Sequence, residues 1–157
     1  MMNRRRWIAA AALTIAAGCG SGSSTGGLDA EGSYVIDLTT AQVVPAPTSS
    51  SGTGAAAFIL YSDRIEYQIA AQLIQGVTSV HIHNGAAGAI GPAVVTLFTT
   101  TTPISPIGSF ATGAMLDANL PAGVTVASLK ALFATGKAYV DVHTVANTAG
   151  ELRGQIQ

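Results

Sequence analysis

The 157-residue chain carries only seven basic and eight acidic side chains, so charged residues make up 10%, against 48% apolar ones. With no basic patch, nucleic-acid binding is excluded as an expectation. A single cysteine excludes any internal disulfide framework.

Arg4-Arg5-Arg6, the apolar run Trp7 to Ala17 and the small pair Gly18-Cys19 have the layout of a secretory signal peptide over residues 1–18. The apolar run is too short to span a bilayer, which takes about 20 residues. Ala16-Ala17-Gly18-Cys19 resembles a bacterial lipobox, and Cys19 stands where the lipidated residue falls. The following GSGSSTGG offers no core in which to bury a thiol. Cys19 is therefore expected to carry a lipid that tethers the protein to the membrane. No Asp follows Cys19, which favours the outer membrane or cell surface of the envelope over the inner membrane. Arg4 to Ile8 also fits a loose twin-arginine pattern, so both export routes suit the signal.

Without residues 1–18 the chain keeps 139 residues, enough for one domain. Four basic side chains (Arg64, Lys130, Lys137, Arg153) then face all eight acidic ones, a net charge of −4. Residues 19–32, the lipidated Cys and a Gly/Ser-rich stretch, read as a flexible tether with a reach of about 20 Å. Residues 33–157 read as one domain.

Its rhythm is mostly two. Tyr34 to Leu38 and Ile65 to Leu73 alternate apolar and polar residues, the mark of half-buried strands, and Ala56 to Tyr61 is a short apolar run. Val80 to His83, Val94 to Phe98, Ser109 to Met115, Ala138 to His143 and Glu151 to Ile156 complete about eight strands. Turn residues such as Gly85, Gly91-Pro92, Pro103, Pro106 and Asn147 separate them. Val126, Leu129, Leu132 and Phe133 instead recur at helical spacing, with Thr125 as N-cap and Gly136 just past the end. The expected fold is all-β: an antiparallel Greek-key β-sandwich or flattened barrel, immunoglobulin-like or superoxide-dismutase-like, with one short helix near 126–134.

The chain has three histidines, His81, His83 and His143. On a strand, residues i and i+2 share a face about 6.6 Å apart, so His81 and His83 can converge on one ion. Asp141 and His143 also share a face. If the two strands are neighbours, three imidazoles gather at one point, with Asp141, Glu151 and Arg153 as partners behind them. Imidazole-rich sets suit copper or zinc. The competing reading is that these histidines bond loop carbonyls and fasten residues 84–92. Glu151 and Arg153, two apart, are expected to form a local ion pair closing the last strand, with Gly154 admitting a close neighbour. No nucleophile elbow, Walker loop, HExxH or paired-carboxylate pattern is visible, so a non-catalytic module is expected.

These residues also carry a resemblance. Leu38-Thr39-Thr40-Ala41-Gln42-Val43-Val44-Pro45, His81-Ile82-His83-Asn84-Gly85, Gly91-Pro92-Ala93-Val94, Gly136 to Thr144 and Gly150 to Ile156 resemble, in order, the blocks of chordin-type (CHRD) domains. Val43 replaces the usual Glu, and Ala149 stands where Pro is common. The resemblance implies an extracellular β-domain acting as a binding module of the envelope, with a protein or polysaccharide ligand it does not identify. The H-x-H strand and the later V-x-V-H strand are also similar to the copper half of copper-zinc superoxide dismutases. That similarity implies a three-histidine copper site at His81, His83 and His143; a fourth histidine and the zinc loop have no counterpart, and Arg153 is the candidate for those enzymes' functional arginine.

Overall fold

The computed structural model describes residues 29–47 and 49–157. The expected signal peptide, Cys19 and the tether up to residue 28 lie outside the described residues.

Each expected strand forms: β1 (Gly32–Thr39), β2 (Thr53–Leu60), β3 (Arg64–Gln72), β4 (Val77–Asn84), β5 (Ala93–Ile104), β6 (Gly108–Leu116), β7 (Ala138–Thr144) and β8 (Leu152–Ile156). The alternation of β3 holds as far as Gln72, with Tyr67 half-buried; Leu73, expected as the strand's last inward residue, lies outside it, exposed and at a φ of 56°. In β3, Ile65, Ile69 and Ala71 are buried, while the residues between them are not. All eight strands join one antiparallel sheet in the order β5-β4-β7-β8-β1-β2-β3-β6. The architecture is the all-β one expected, at its flattened-barrel limit. The sheet curls until its far sides meet through side chains: the Tyr67 hydroxyl on β3 donates to the Leu97 carbonyl on β5 at 2.8 Å, and Phe98 packs edge-on against Phe110 at 5.5 Å.

The curl encloses an apolar core that includes Leu38, Phe58, Ile69, Val80, Ile82, Val140, Leu152 and Ile156. One end is plugged by α1 (Val126–Ala134), which buries Val126, Leu129 and Phe133. Phe133 meets Phe58 at 5.3 Å and Tyr34 at 5.8 Å. The helix starts where Thr125 Oγ1 accepts from the Ser128 amide at 3.0 Å, and stops before Gly136, whose φ of 63° suits glycine.

The middle of the sheet positions the site. A Cβ at Gly154 would lie 2.5 Å from Ile36, so only glycine lets β8 sit this close to β1. The register of β4 against β7 pairs Ser79 with His143, His81 with Asp141 and His83 with Tyr139. On its other side β4 meets β5 with register breaks next to His81 and between Ile82 and His83, irregularities of the kind that re-aim side chains.

Candidate metal centre

Strand alternation puts His81 and His83 on one face of β4, and Tyr139, Asp141 and His143 on one face of β7. The register lays these faces side by side. The Asp141 carboxylate ends at the centre: its Oδ2 is 3.1 Å from His83 Nε2, and its Oδ1 is 3.0 Å from His143 Nε2 and 3.7 Å from His81 Nδ1. One donor atom from each of the four residues lies within 4.8 Å of the others.

The hydrogen-bond sense of this group is unusual. His83 Nδ1 is 2.8 Å from the Gly91 carbonyl, and His143 Nδ1 is 2.9 Å from the Thr148 carbonyl. A carbonyl only accepts, so both Nδ1 atoms carry the proton and the neutral rings present bare Nε2 lone pairs. Those lone pairs face a carboxylate, which also only accepts. Among the described residues, His83 Nε2, His143 Nε2 and Asp141 Oδ1 are buried without a hydrogen-bond partner. Such a convergence of acceptors is relieved by protons or by a cation.

The titration behaviour expresses the same imbalance. Burial alone would lower the pKa of His83 and His143, but Asp141, which would accept a bond from a second ring proton, outweighs it together with the loop carbonyls and raises both above the ordinary histidine value. Burial would likewise raise Asp141; its close approach to His143, His81 and His83, which favours the charged carboxylate, prevails and holds it well below the carboxylate range.

A metal ion fits the same space. Tetrahedral ligands bound at 2.0–2.1 Å lie about 3.3 Å from one another; the contacts to the two Asp141 oxygens span 3.0 to 3.7 Å, and the four ligand atoms lie within 4.8 Å of one another. Three imidazoles and one carboxylate form a donor set that zinc and copper accept. The cluster could hold a metal ion. The loop carbonyls on the two Nδ1 atoms make hydrogen bonds of the kind that orient metal-ligating histidines.

The surroundings are tightly fitted. Tyr139 stacks on His83 at 4.7 Å and 11°, and the Arg153 guanidinium lies over the Tyr139 ring, 3.5 Å from its centroid. Gly91 has no alternative, because a Cβ there would stand 1.8 Å from the Asn84 carbonyl oxygen. A cleft of about 280 Å³ opens beside the cluster, lined by residues including His83, Asp141, His143, Tyr139 and Arg153.

The family model for the CHRD domain matches residues 34–156. The chain belongs to the CHRD domain family. Comparison with curated proteins and with solved structures gave no match. Several CHRD blocks quoted above prove to be interlocked. Gln42 Oε1 accepts from the Gln155 amide at 3.1 Å, and Gln155 Nε2 donates to the Gly85 and Gly136 carbonyls at 2.9 and 2.8 Å. One glutamine on β8 thus ties the opening block, the H-N-G block and the end of α1 around the histidines.

Each site residue read from the CHRD sequence has a definite place, except Cys19, which lies outside the described residues. His81, His83 and His143 come together. Asp141, expected behind them, sits among them. Glu151 is not a partner of the imidazoles: its carboxylate takes bonds from Ser50 Oγ, Thr144 Oγ1 and Asn147 Nδ2 at 2.7, 2.6 and 2.8 Å. Nor does it pair with Arg153, so the expected ion pair is absent among the described residues. Arg153 instead donates to the Ala86 and Ala89 carbonyls and to Gln155 Oε1. The reason is local. The segment before β2 (Ser50), the end of β7 (Thr144) and the loop before β8 (Asn147) bring three neutral donors to Glu151, while Tyr139 and two loop carbonyls hold the guanidinium away from it. Tyr139 was not among the site residues expected from the sequence; its place on the same strand face as Asp141 was the available signal.

Proposed function

We propose that this CHRD domain is an extracytoplasmic metal-binding module, held at the cell envelope by a lipid on Cys19, with zinc or copper bound by His81, His83, Asp141 and His143. The observation that carries this reading is the buried meeting of two imidazole lone pairs with a carboxylate and no donor between them. A CHRD domain is in general an extracellular-type binding module, and a resident ion is consistent with that class.

The test is metal analysis of the purified protein after exposure to zinc or copper, beside a His81→Ala/His83→Ala variant. The reading expects about one equivalent in the native protein and little in the variant. Equal and negligible metal in both would falsify it.

A second reading has its own support. His83 and His143 bond Gly91 and Thr148, and so clasp the loops after β4 and β7. In this reading the histidines are protonated clasps, and the domain is a metal-free binding module for a protein or polysaccharide. It predicts that zinc and copper leave thermal unfolding unchanged. Lipid anchoring is tested separately: Cys19→Ser should move the protein from the membrane to the soluble fraction, and unchanged fractionation contradicts the anchor.

A further inference from the structure

Arg153 is only 3% exposed, yet its acceptors are all neutral: the Ala89 carbonyl at 2.8 Å, the Ala86 carbonyl at 3.0 Å and Gln155 Oε1 at 3.3 Å. Among the described residues no carboxylate lies within ion-pair distance of it. Burying an unpaired guanidinium is costly, and its positive charge is only partly offset by carbonyl dipoles and by the Tyr139 ring. A guanidinium has five N–H donors, so these three bonds leave the Nε proton and one Nη1 proton uncommitted.

The same cleft is lined by Arg153 and by His83, Asp141 and His143. A dication in the cluster would be matched there by a single carboxylate, leaving a surplus positive charge beside that of Arg153. Apart from Tyr139, the other lining residues, Val43, Val44, Pro45, Ile90 and Ala149, are apolar. The lining thus combines a cationic group with apolar side chains, in a volume of about 280 Å³ that suits a fragment-sized ligand.

We infer that the cleft binds a short-chain organic carboxylate, its head on Arg153 beside the metal cluster and its hydrocarbon body along the apolar lining residues. This rests on the metal reading above. Arg153 supplies charge and two free donors, the metal supplies a second positive pole, and the apolar lining supplies selection for chain length.

The test uses the whole protein loaded with Co(II), whose visible absorption bands report changes around the ion. Acetate, propionate, butyrate and the neutral butyramide are titrated in turn. The acids should give saturable band shifts, with affinity rising about four-fold per added methylene, and butyramide should give none. Arg153→Gln should weaken butyrate binding about ten-fold or more, and Arg153→Lys should recover part of the loss. The proposal is overturned if no acid shifts the bands, if acetate and butyrate bind equally, or if butyramide binds as well as butyrate. Native butyrate affinity in a folded Arg153→Gln protein overturns it too. Should that variant not fold, the chain-length series and the butyramide comparison decide on the native protein alone. A protein that takes up no cobalt defeats the metal reading and this proposal together, whereas cobalt uptake with silent carboxylates defeats only the proposal.

Discussion

Asp141 and Glu151 are buried to nearly the same degree, 6% and 7% exposed, and stand ten residues apart on the hairpin of β7 and β8. Their surroundings have opposite hydrogen-bond sense. Glu151 meets two hydroxyls and an amide, all able to donate without carrying charge. Those bonds overcome the effect of burial and hold its carboxyl below its ordinary pKa. Asp141 meets three imidazoles, two of which have already given their Nδ1 proton to a loop carbonyl. The first carboxylate is complete within the protein. The second is complete only with added positive charge. Burial of an acid therefore does not by itself mark a site; the balance of donors against acceptors does.

The largest effect should come from exchanging charge for an amide at each position. Asp141→Asn should weaken zinc or copper binding by more than about 100-fold, since losing a ligand costs more than losing an outer hydrogen bond. Glu151→Gln should leave metal affinity unchanged and lower unfolding free energy by about 1–3 kcal/mol. Isothermal titration and denaturant unfolding measure the pair. Equal loss of metal by both variants would erase the contrast.

Metal should also stabilise the native fold by mass action, by about 4 kcal/mol at a thousand times Kd. A thermal scan should show this shift in the native protein and in Glu151→Gln, and no shift in Asp141→Asn.

The metal-free protein sharpens the comparison through pH. His83 and His143 have raised pKa values, so their contribution is complete below about pH 6.5 and is lost as pH rises through the folded values. Asp141 and Glu151 have lowered values, so theirs is present above about pH 4 and is lost as pH falls. Unfolding free energy without metal should therefore peak between about pH 4 and 6.5 and decline on the alkaline side. With zinc present the alkaline slope should reverse, because protons compete with the ion. A metal-free profile that keeps rising above pH 7 contradicts the imidazole–carboxylate coupling.

The smallest effect should come from Tyr139→Phe. It keeps the stack on His83 and removes the hydroxyl that bonds the Gly91 amide at 3.2 Å and carbonyl at 3.3 Å. A loss of about 1 kcal/mol in denaturant unfolding is expected, with little change in metal affinity.

Much of this arrangement was legible in the sequence, for physical reasons that differ between elements. Ile65 to Leu73 showed its strand because one face is buried and the other wet. Val126 to Phe133 showed its helix because Thr125 and Gly136 have backbone needs few residues meet. The shared faces of His81 with His83 and of Asp141 with His143 followed from strand geometry alone. What pairs β4 with β7 is set by the whole sheet, across sixty residues from His81 to Asp141, and leaves no local trace. The central position of Asp141 depends on that register. The bonds to Gly91 and Thr148 are invisible because every residue has a carbonyl. Arg153 and Glu151 looked like an ion pair because spacing shows a shared face and not which acceptors a loop delivers.

The most direct test of the central claim is nitrogen-15 NMR of the histidine rings during a zinc titration. The account predicts that His83 and His143 keep the proton on Nδ1 throughout, while their Nε2 signals and the Nδ1 signal of His81 shift and saturate at one equivalent. Ring signals that stay in place through excess zinc, and again through excess Cu(I), would show that these lone pairs do not share an ion.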